Sequence, residues 1–134
     1  KHSHNPLVAT HSNAHQLCTH TRNLTNKQLD AIKETKGIVG VNFAPAFLRP
    51  DGKMIAETDI QLIVDHFKFL IDYLGEECVG FGSDFDGAMM PKKLSSVLGM
   101  RLLIELMVNQ GFSEDLMKKL CHQNWLSLIK RTLT

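Results

Sequence analysis

The sequence has 134 residues, of which 43% are hydrophobic and 22% are charged; this is the size and composition of one average globular domain and argues against a disordered chain. Lysine and arginine together number 15 against 14 aspartates and glutamates, a net charge of +1. That balance provides neither the basic surface of a nucleic-acid-binding protein nor a polybasic membrane patch. No apolar run approaches the roughly 20 residues that cross a bilayer, which excludes a membrane-spanning helix.

The first third of the chain predicts two strands separated by a helix. Residues 7–10 form a short apolar run that predicts a strand. Thr25 and Gln28 have the spacing of a capping box, which predicts the start of a helix, and Gly37 is a typical helix end. Residues 37–43 are apolar and β-branched and predict a second, buried strand.

The middle of the chain repeats this order. Residues 44–57 contain prolines and an Asp-Gly pair and predict a loop, and a loop of this length in a compact domain is often functional. A second capping-box pattern at Thr58 predicts a helix that ends at Gly75. Residues 79–82 then predict a third buried strand.

The last third predicts two helices, over residues 94–109 and 113–130, the second with Ser113 as its N-cap. Strands that alternate with amphipathic helices form a parallel sheet covered by helices. The sequence therefore predicts an α/β fold with about three parallel strands and a C-terminal helix.

The cysteines and the N-terminus bear on location. An odd number of widely spaced cysteines with no CxxC pair predicts free thiols, as in a reducing compartment, so we expect a cytoplasmic protein. The cysteines are Cys18, Cys78 and Cys121. Residues 1–6 lack the apolar stretch of a signal peptide and do not begin with Met, so we expect a piece of a longer protein.

Polar side chains follow all three predicted strands. His11, Ser12 and Asn13 follow the first, Asn42 ends the second, and Asp84 follows the third. Ligands of parallel α/β proteins gather at the carboxyl ends of the strands. These residues therefore predict a site at one edge of the sheet, although each can also be only the start of a loop.

Three of these residue types carry recognisable chemistry. His11 can bind a metal ion through a ring nitrogen or serve as a hydrogen-bonding loop residue. Arg22 can bind a substrate carboxylate with two parallel hydrogen bonds or pair with a local acid. Asp84 and Asp86 share one face of an extended backbone, where one can act in proton transfer, or they belong to a turn whose corner is Asp86-Gly87.

The remaining candidates are weaker. Cys18 has no base beside it in the sequence, which argues against a nucleophile. The other histidines are predicted to lie in loops, at helix caps or on the surface, and two of them at a frayed N-terminus; they are His2, His4, His15, His20, His66 and His122.

Five blocks of sequence, in this order and spacing, resemble the membrane dipeptidase (renal dipeptidase) family. The pairing of the His-Ser-Asn block with the Gly-Ser-Asp-Phe-Asp-Gly block is the specific part. Thr10 stands where the family usually has Ser, and His15 where many bacterial members have Arg. The blocks are THSNA (10–14), HTRNL (20–24), GVNF (40–43), GFGSDFDG (80–87) and QNWL (123–126).

The resemblance implies an amidohydrolase-like (β/α)8 barrel with two zinc ions bridged by a water or hydroxide, which hydrolyses dipeptides. His11 matches one of two histidines that bind the second zinc. Arg22 matches the arginine that holds the dipeptide's C-terminal carboxylate. Asp84 matches the aspartate that passes a proton from the attacking water to the leaving amine. Asp86 belongs to the family block but receives no catalytic role.

A (β/α)8 barrel needs about 250 residues, and the family's other metal ligands, a His-x-Asp pair, a bridging Glu and another His, have no match here. The resemblance thus implies that residues 1–134 are the C-terminal portion of a single metallo-dependent hydrolase domain. We expect this portion alone to bind zinc poorly, to be inactive, and to leave an open sheet edge. Such an edge favours a homodimer or association with the missing N-terminal part.

Two alternatives to a dipeptidase remain open on the sequence. The first is another metal hydrolase of the same superfamily that acts on a different amide or a lactone. The second is a non-catalytic barrel protein that has lost its upstream metal ligands.

Overall fold

The computed structural model describes residues 5–133, so the predictions for His2 and His4 lie outside the described residues. Three strands alternate with helices along the chain, as the sequence predicts. The strands are β1 (Val8–Ala9), β2 (Ile38–Asn42) and β3 (Val79–Ser83). The α-helices are α1 (Asn26–Glu34), α2 (Pro45–Leu48), α3 (Gln61–Leu74), α4 (Val97–Asn109), α5 (Glu114–Lys118) and α6 (Asn124–Leu133). Short 3-10 turns span Glu76–Cys78 and Lys92–Leu94, and a π-helical turn spans Lys119–Gln123.

The three strands form one parallel sheet in the order β1-β2-β3. Chain order and spatial order agree, and the connections from β1 to β2 and from β2 to β3 run through helices, as parallel strands require. This confirms the predicted α/β class with three parallel strands and covering helices.

A β-bulge aligns the ends of β2 and β3. Val41 pairs with Phe81, but the next residue, Asn42, pairs with Ser83, so Gly82 is left over. Bulges re-aim the residues that follow them. Here the bulge places Ser83 beside Asn42, the last residue of β2. The residues that follow β3 therefore begin at the same level as the end of β2.

Glycines allow the end of β1 to lie close against the sheet. A Cβ atom placed on Gly40 would be 2.1 Å from the Thr10 carbonyl oxygen, and one on Gly82 would be 2.4 Å from the same oxygen. Both distances are too short for any side chain. The absence of side chains therefore lets Thr10, and the residues after it, approach β2 and β3 together.

The core lies between the sheet and α3. One face of α3 is apolar at helical spacing and fully buried, including Ile63, Phe67 and Leu70. The Phe67 ring lies 4.8 Å from the Phe81 ring of β3, measured between centroids. This packing holds α3 across the sheet.

The first predicted capping box is confirmed and the second is wrong. The Thr25 N–H donates to Gln28 Oε1 at 2.9 Å. The helix predicted to begin at Thr58 begins instead at Gln61, because the Thr58 hydroxyl donates to the Ile55 carbonyl at 2.6 Å. The N-cap is Ile60, whose side chain forms no capping bond, and Asp59 Oδ1 accepts the Gln61 N–H at 2.9 Å.

The final helical stretch begins as predicted, with Ser113 Oγ accepting the Leu116 N–H at 3.2 Å. It does not run as a regular α-helix, however, since the π-helical turn separates α5 from α6. The predicted loop over residues 44–57 likewise contains the short helix α2. Among the described residues, none of the helices combines the length and apolar character needed to cross a membrane.

Candidate active site

His11 lies at the exit of β1, half-buried, with one ring nitrogen engaged. Its Nδ1 is 2.7 Å from the Thr10 hydroxyl. Within residues 5–133, Nε2 has no hydrogen-bond partner, which leaves it as the nitrogen able to bind a metal ion. A metal-binding imidazole usually donates its other N–H to a neighbouring oxygen, and Thr10 Oγ1 provides such an acceptor.

Asn42, at the end of β2, joins the exits of β1 and β3. Its Nδ2 donates to the His11 carbonyl oxygen at 3.4 Å and to Asp84 Oδ2 at 3.0 Å. The convergence of the three strand ends that the sequence predicts is therefore confirmed by direct contacts. The His11 main chain and the Asp84 carboxylate meet at one amide group.

Asn13 fixes the main chain of Asn42 from the side of β1. The Asn42 N–H donates to Asn13 Oδ1 at 2.9 Å, and Asn13 Nδ2 donates to the Asn42 carbonyl at 2.9 Å. Both side chains are fully buried. Amide groups removed from water are costly unless they are hydrogen-bonded, and the Asn13 side chain meets this need by pairing with the main chain of Asn42.

Asp84 lies in a tight turn of left-handed backbone. Ser83, Asp84 and Asp86 have φ angles of 47°, 74° and 65°, a region that non-glycine residues seldom enter and that is common at functional sites. The turn is therefore confirmed, and the extended arrangement with both carboxylates on one face is wrong. Asp86 is exposed, whereas Asp84 is half-buried.

Gly87 leaves room for the Asp84 carboxylate. A Cβ atom at Gly87 would be 2.5 Å from Asp84 Oδ1. The carboxylate thus lies between the Asn42 amide on one side and a bare glycine backbone on the other. Oδ1 has no hydrogen-bond partner among residues 5–133.

Arg22 lies on the loop after β1, exposed, with its guanidinium carbon 5.8 Å from the centroid of the Phe47 ring. The same ring makes an edge-to-face contact with His20, at 4.9 Å between centroids. In the described part of the chain no carboxylate forms an ion pair with Arg22. The cation is therefore supported by an aromatic face and available to an anion from solvent.

The support of Arg22 is tied to the asparagine pair. The Phe47 carbonyl accepts hydrogen bonds from Asn13 Nδ2 at 3.1 Å and from Asn23 Nδ2 at 2.9 Å. The structure thus brings His11 and Asp84 into contact with a shared amide, and connects Arg22 to them through Phe47 and Asn13.

Two predictions for single residues have different outcomes. Cys18 is buried, and its thiol donates to the Ala46 carbonyl, as expected of a core cysteine.

His66, predicted at a cap or on the surface, is fully buried, because it lies on the inner face of α3 beside Phe67. Its Nδ1 accepts the Ala14 N–H at 3.2 Å, and Nε2 lies 3.3 Å from the Leu48 carbonyl. Burial lowers the pKa of His66 to about 4.

The sequence pattern alone did not single out the supporting residues. Thr10 and Gly87 belong to blocks of the family resemblance but received no supporting role there, and Phe47 belongs to none; only their contacts show what they support. The position of His66, however, could have been read from the sequence, since residues 63, 67 and 70 repeat at helical spacing and place it on the same face.

The residues between 5 and 133 contain no group of three His, Cys, Asp or Glu side chains close enough to hold a metal ion. His11 suits one ligand position, with Nε2 free and Nδ1 bonded. A zinc site needs three or four protein ligands, so the described residues fit part of such a site and not the whole.

A cavity of about 650 Å³ opens beside the exit of β3. Its walls come from β3, from the segment before α4 and from the π-helical turn. The lining is mainly apolar, with Phe81, Phe85, Val97 and Met100, and it includes the polar residues Ser83, Asp86 and Ser95. Neither His11 nor Arg22 lines this cavity.

The sequence profile of the membrane dipeptidases (peptidase family M19) matches residues 1–134. The chain belongs to the membrane dipeptidase family. Among solved members, this dipeptidase-family chain is 51% identical to the dipeptidase AC, a family M19 metallopeptidase, over 96% of its length, with a TM-score of 0.93. It is 52% identical, with a TM-score of 0.93, to a metallopeptidase from Rhodobacter sphaeroides liganded with a phosphinate mimic of the dipeptide L-Ala-D-Ala, again over 96% of its length.

Curated relatives agree with these structures. A protein encoded in the pqqA 5′ region of Klebsiella pneumoniae is 47% identical over 96% of the chain, and the dipeptidase aclJ of Aspergillus oryzae is 33% identical over 82%. The chain spans 48% and 26% of these two proteins, and 38% and 36% of the dipeptidase AC and the Rhodobacter enzyme. This dipeptidase-family chain thus corresponds to half or less of each relative.

Proposed function

We propose that this chain is the C-terminal part of a zinc-dependent dipeptidase with a (β/α)8 barrel. The observation that carries the proposal is the contact of the Asn42 amide with both the His11 main chain and the Asp84 carboxylate, at the carboxyl edge of the sheet. Active sites of (β/α)8 enzymes lie at that edge. The family membership of the chain supports hydrolysis of a peptide bond, by a metallopeptidase.

His11 would hold zinc through Nε2, with further ligands from the barrel strands outside this chain. Zinc, when bound, would supply the activation of water and the polarisation of the scissile carbonyl. The Thr10 hydroxyl would orient the imidazole by accepting the proton of Nδ1.

Asp84 would take the proton from the attacking water at its free Oδ1 and pass it to the nitrogen of the leaving amine as the C–N bond breaks. Arg22 would bind the carboxylate at the C-terminus of the substrate with paired hydrogen bonds. By binding the charged terminus next to the scissile bond, Arg22 would favour dipeptides over longer peptides. The dipeptide mimic in the Rhodobacter enzyme supports this substrate class.

We infer further that residues 1–134 alone are inactive, because one imidazole does not complete a zinc site. The natural partner of this segment is then the rest of the barrel, or a second copy of the chain. A cytoplasmic location, expected from the free cysteines, stays a prediction.

The test is an assay of the complete protein, loaded with zinc, against L,L- and L,D-dipeptides, the same dipeptides with an amidated C-terminus, and a panel of lactones. We expect turnover of the free dipeptides, with little turnover of the amidated ones since they lack the charge that Arg22 binds. Turnover of lactones alone would identify a different hydrolase of the superfamily. No turnover of any substrate would identify a non-catalytic barrel protein.

A further inference from the structure

We propose that Asn42 is a positioning residue for catalysis, which holds the Asp84 carboxylate through Oδ2 so that Oδ1 alone handles the proton. This inference rests on the proposed function, since it assigns to Asn42 the task of orienting the proton-transfer group of that same site. It concerns a side chain that carries no acid, base or metal-binding group of its own.

The first support is that the Asn42 amide can take only one orientation. Its Oδ1 accepts the Ala44 N–H at 2.7 Å, and its Nδ2 donates to Asp84 Oδ2 at 3.0 Å and to the His11 carbonyl at 3.4 Å. An amide has one acceptor oxygen and two donor hydrogens, and all three are used. A flipped amide would face the Ala44 N–H with its own N–H groups and lose every one of these contacts.

The second support is that the main chain beneath this amide is equally fixed. Asn42 pairs with Ser83 across the bulge, and Asn13 bonds both its N–H and its carbonyl. Asn42 is fully buried, so water does not compete for these contacts. A donor held this firmly determines where its acceptor lies.

The third support comes from Asp84 itself. Its backbone is left-handed, at φ 74°, and its N–H donates to the Gly82 carbonyl at 2.8 Å. Oδ1 lies over Gly87, where a Cβ atom would be 2.5 Å away. The carboxylate is thus constrained at Oδ2 by a donor and at Oδ1 by the shape of the turn, while Oδ1 keeps its lone pairs free.

The chemical consequence is that the two carboxylate oxygens of Asp84 have different roles. Oδ2 accepts an N–H donor, and a proton on Oδ2 would weaken that contact. Oδ1 can accept a proton from water and release it to the amine nitrogen without disturbing the Asn42 contact. Proton transfer depends on placing the accepting atom to within about 1 Å, and Asn42 provides that placement.

The experiment compares Asn42→Ala with Asn124→Ala in the complete zinc-loaded protein. Asn124 is a matched control: it is also buried, and its Nδ2 donates to the Glu76 and Val79 carbonyls, at the opposite end of β3 from Asp84. For Asn42→Ala we expect kcat to fall about 10- to 100-fold, with KM and zinc content within two-fold of the wild type. For Asn124→Ala we expect a lower melting temperature with unchanged kcat.

A double-mutant cycle with Asp84→Asn separates positioning from a general loss of structure. Asp84→Asn alone should lower kcat by two or more orders of magnitude with zinc content unchanged. If Asn42 acts through Asp84, adding Asn42→Ala to Asp84→Asn lowers kcat no further. A full additional loss of kcat in the double variant would overturn the proposal.

Asn42→Leu keeps most of the volume of the side chain and removes the donor without adding a charge beside Asp84, and it carries the test if Asn42→Ala does not fold. A kcat within two-fold of the wild type in whichever variant folds would refute the positioning role. That failure is distinguishable from failure of the proposed function, in which the wild-type protein itself hydrolyses no dipeptide.

Discussion

At the scale of single residues, the amide of Asn13 serves both parts of the candidate site. It bonds the main chain of Asn42, which holds Asp84, and the carbonyl of Phe47, whose ring supports Arg22. Residues that share a hydrogen-bond network have non-additive effects when they are substituted. Substitution of Asn13 is therefore expected to affect proton transfer and substrate binding together.

Arg22 provides a prediction about substrate binding. We expect Arg22→Ala to raise KM for dipeptides by about 10- to 100-fold, because a charge-assisted hydrogen bond contributes about 1.5 to 3 kcal/mol. Steady-state kinetics of the complete protein measure this directly. Arg101→Ala, which removes an exposed arginine on α4, is the matched control and should leave KM unchanged. An unaltered KM in Arg22→Ala would contradict the assignment.

His66 provides a prediction about stability and pH. Its pKa is lowered to about 4 by burial, so the folded chain binds fewer protons than the unfolded chain between pH 6.5 and 4. Stability is then fully present above pH 6.5 and falls as the pH decreases toward 4, by up to about 3 kcal/mol. Urea denaturation at several pH values measures the loss.

The His66→Gln variant isolates this contribution, since glutamine does not titrate and every other titrating group is shared with the wild type. We expect the wild type to lose stability relative to His66→Gln between pH 6.5 and 4. Parallel stability curves for the two proteins across that range would show that the proton uptake of His66 does not matter.

At the scale of elements, α6 is attached to β3 by side-chain hydrogen bonds to the strand. Asn124 Nδ2 donates to the Val79 carbonyl at 2.8 Å, and the Trp125 indole N–H donates to the Phe81 carbonyl at 3.1 Å. The π-helical turn immediately before α6 sets the direction in which both side chains point. A regular helix over residues 113–130, as the sequence predicts, lacks this change of pitch.

The Asn124 contacts predict a loss of stability without any change at the site. We expect Asn124→Ala to lower the free energy of unfolding by about 1 to 3 kcal/mol, because it leaves the buried Val79 carbonyl without a partner. Asn109→Ala, at the exposed end of α4, should change it by less than about 0.5 kcal/mol. Equal effects of the two substitutions in urea denaturation would contradict the prediction.

The sequence predicts some elements of the fold correctly and misses others, and the difference has physical reasons. The three strands, the polar residues at their ends and the N-caps of α1 and α5 follow from local composition, and the sequence predicts them. The bulge after Val41 and the π-helical turn depend on contacts with distant segments, whereas the true start of α3 depends on which local hydrogen bonds Thr58 and Asp59 form. Asn42 could be placed at a strand end from the sequence, but its bond to Asp84 needs the register that the bulge creates.

At the scale of the whole molecule, the sheet of the described residues has no further strand beyond either edge, and α4 has an exposed apolar surface. β1 and β3 each pair with a strand on one side only. Val97 and Leu98 are 84% and 71% exposed. Open edges and exposed apolar residues promote association with other chains.

We therefore expect residues 1–134, prepared alone, to self-associate and to hydrolyse no dipeptide. Light scattering after size-exclusion chromatography should give a mass that rises with concentration above the 15.1 kDa of one chain. The double variant Val97→Ser/Leu98→Lys should lower that mass, whereas Glu105→Lys, at an exposed polar position of the same helix, should not. A constant monomer mass at all concentrations would contradict the expectation.

The left-handed turn after β3 limits which amino acids can replace the residues of the turn. Ser83, Asp84 and Asp86 occupy backbone angles that a β-branched residue adopts only with strain. A combinatorial library that aims to alter substrate preference here would return few valines, isoleucines or threonines at these three positions, whatever chemistry is screened. Phe85 and Met100 are better positions for such a library, because they line the neighbouring cavity and their backbone is not left-handed.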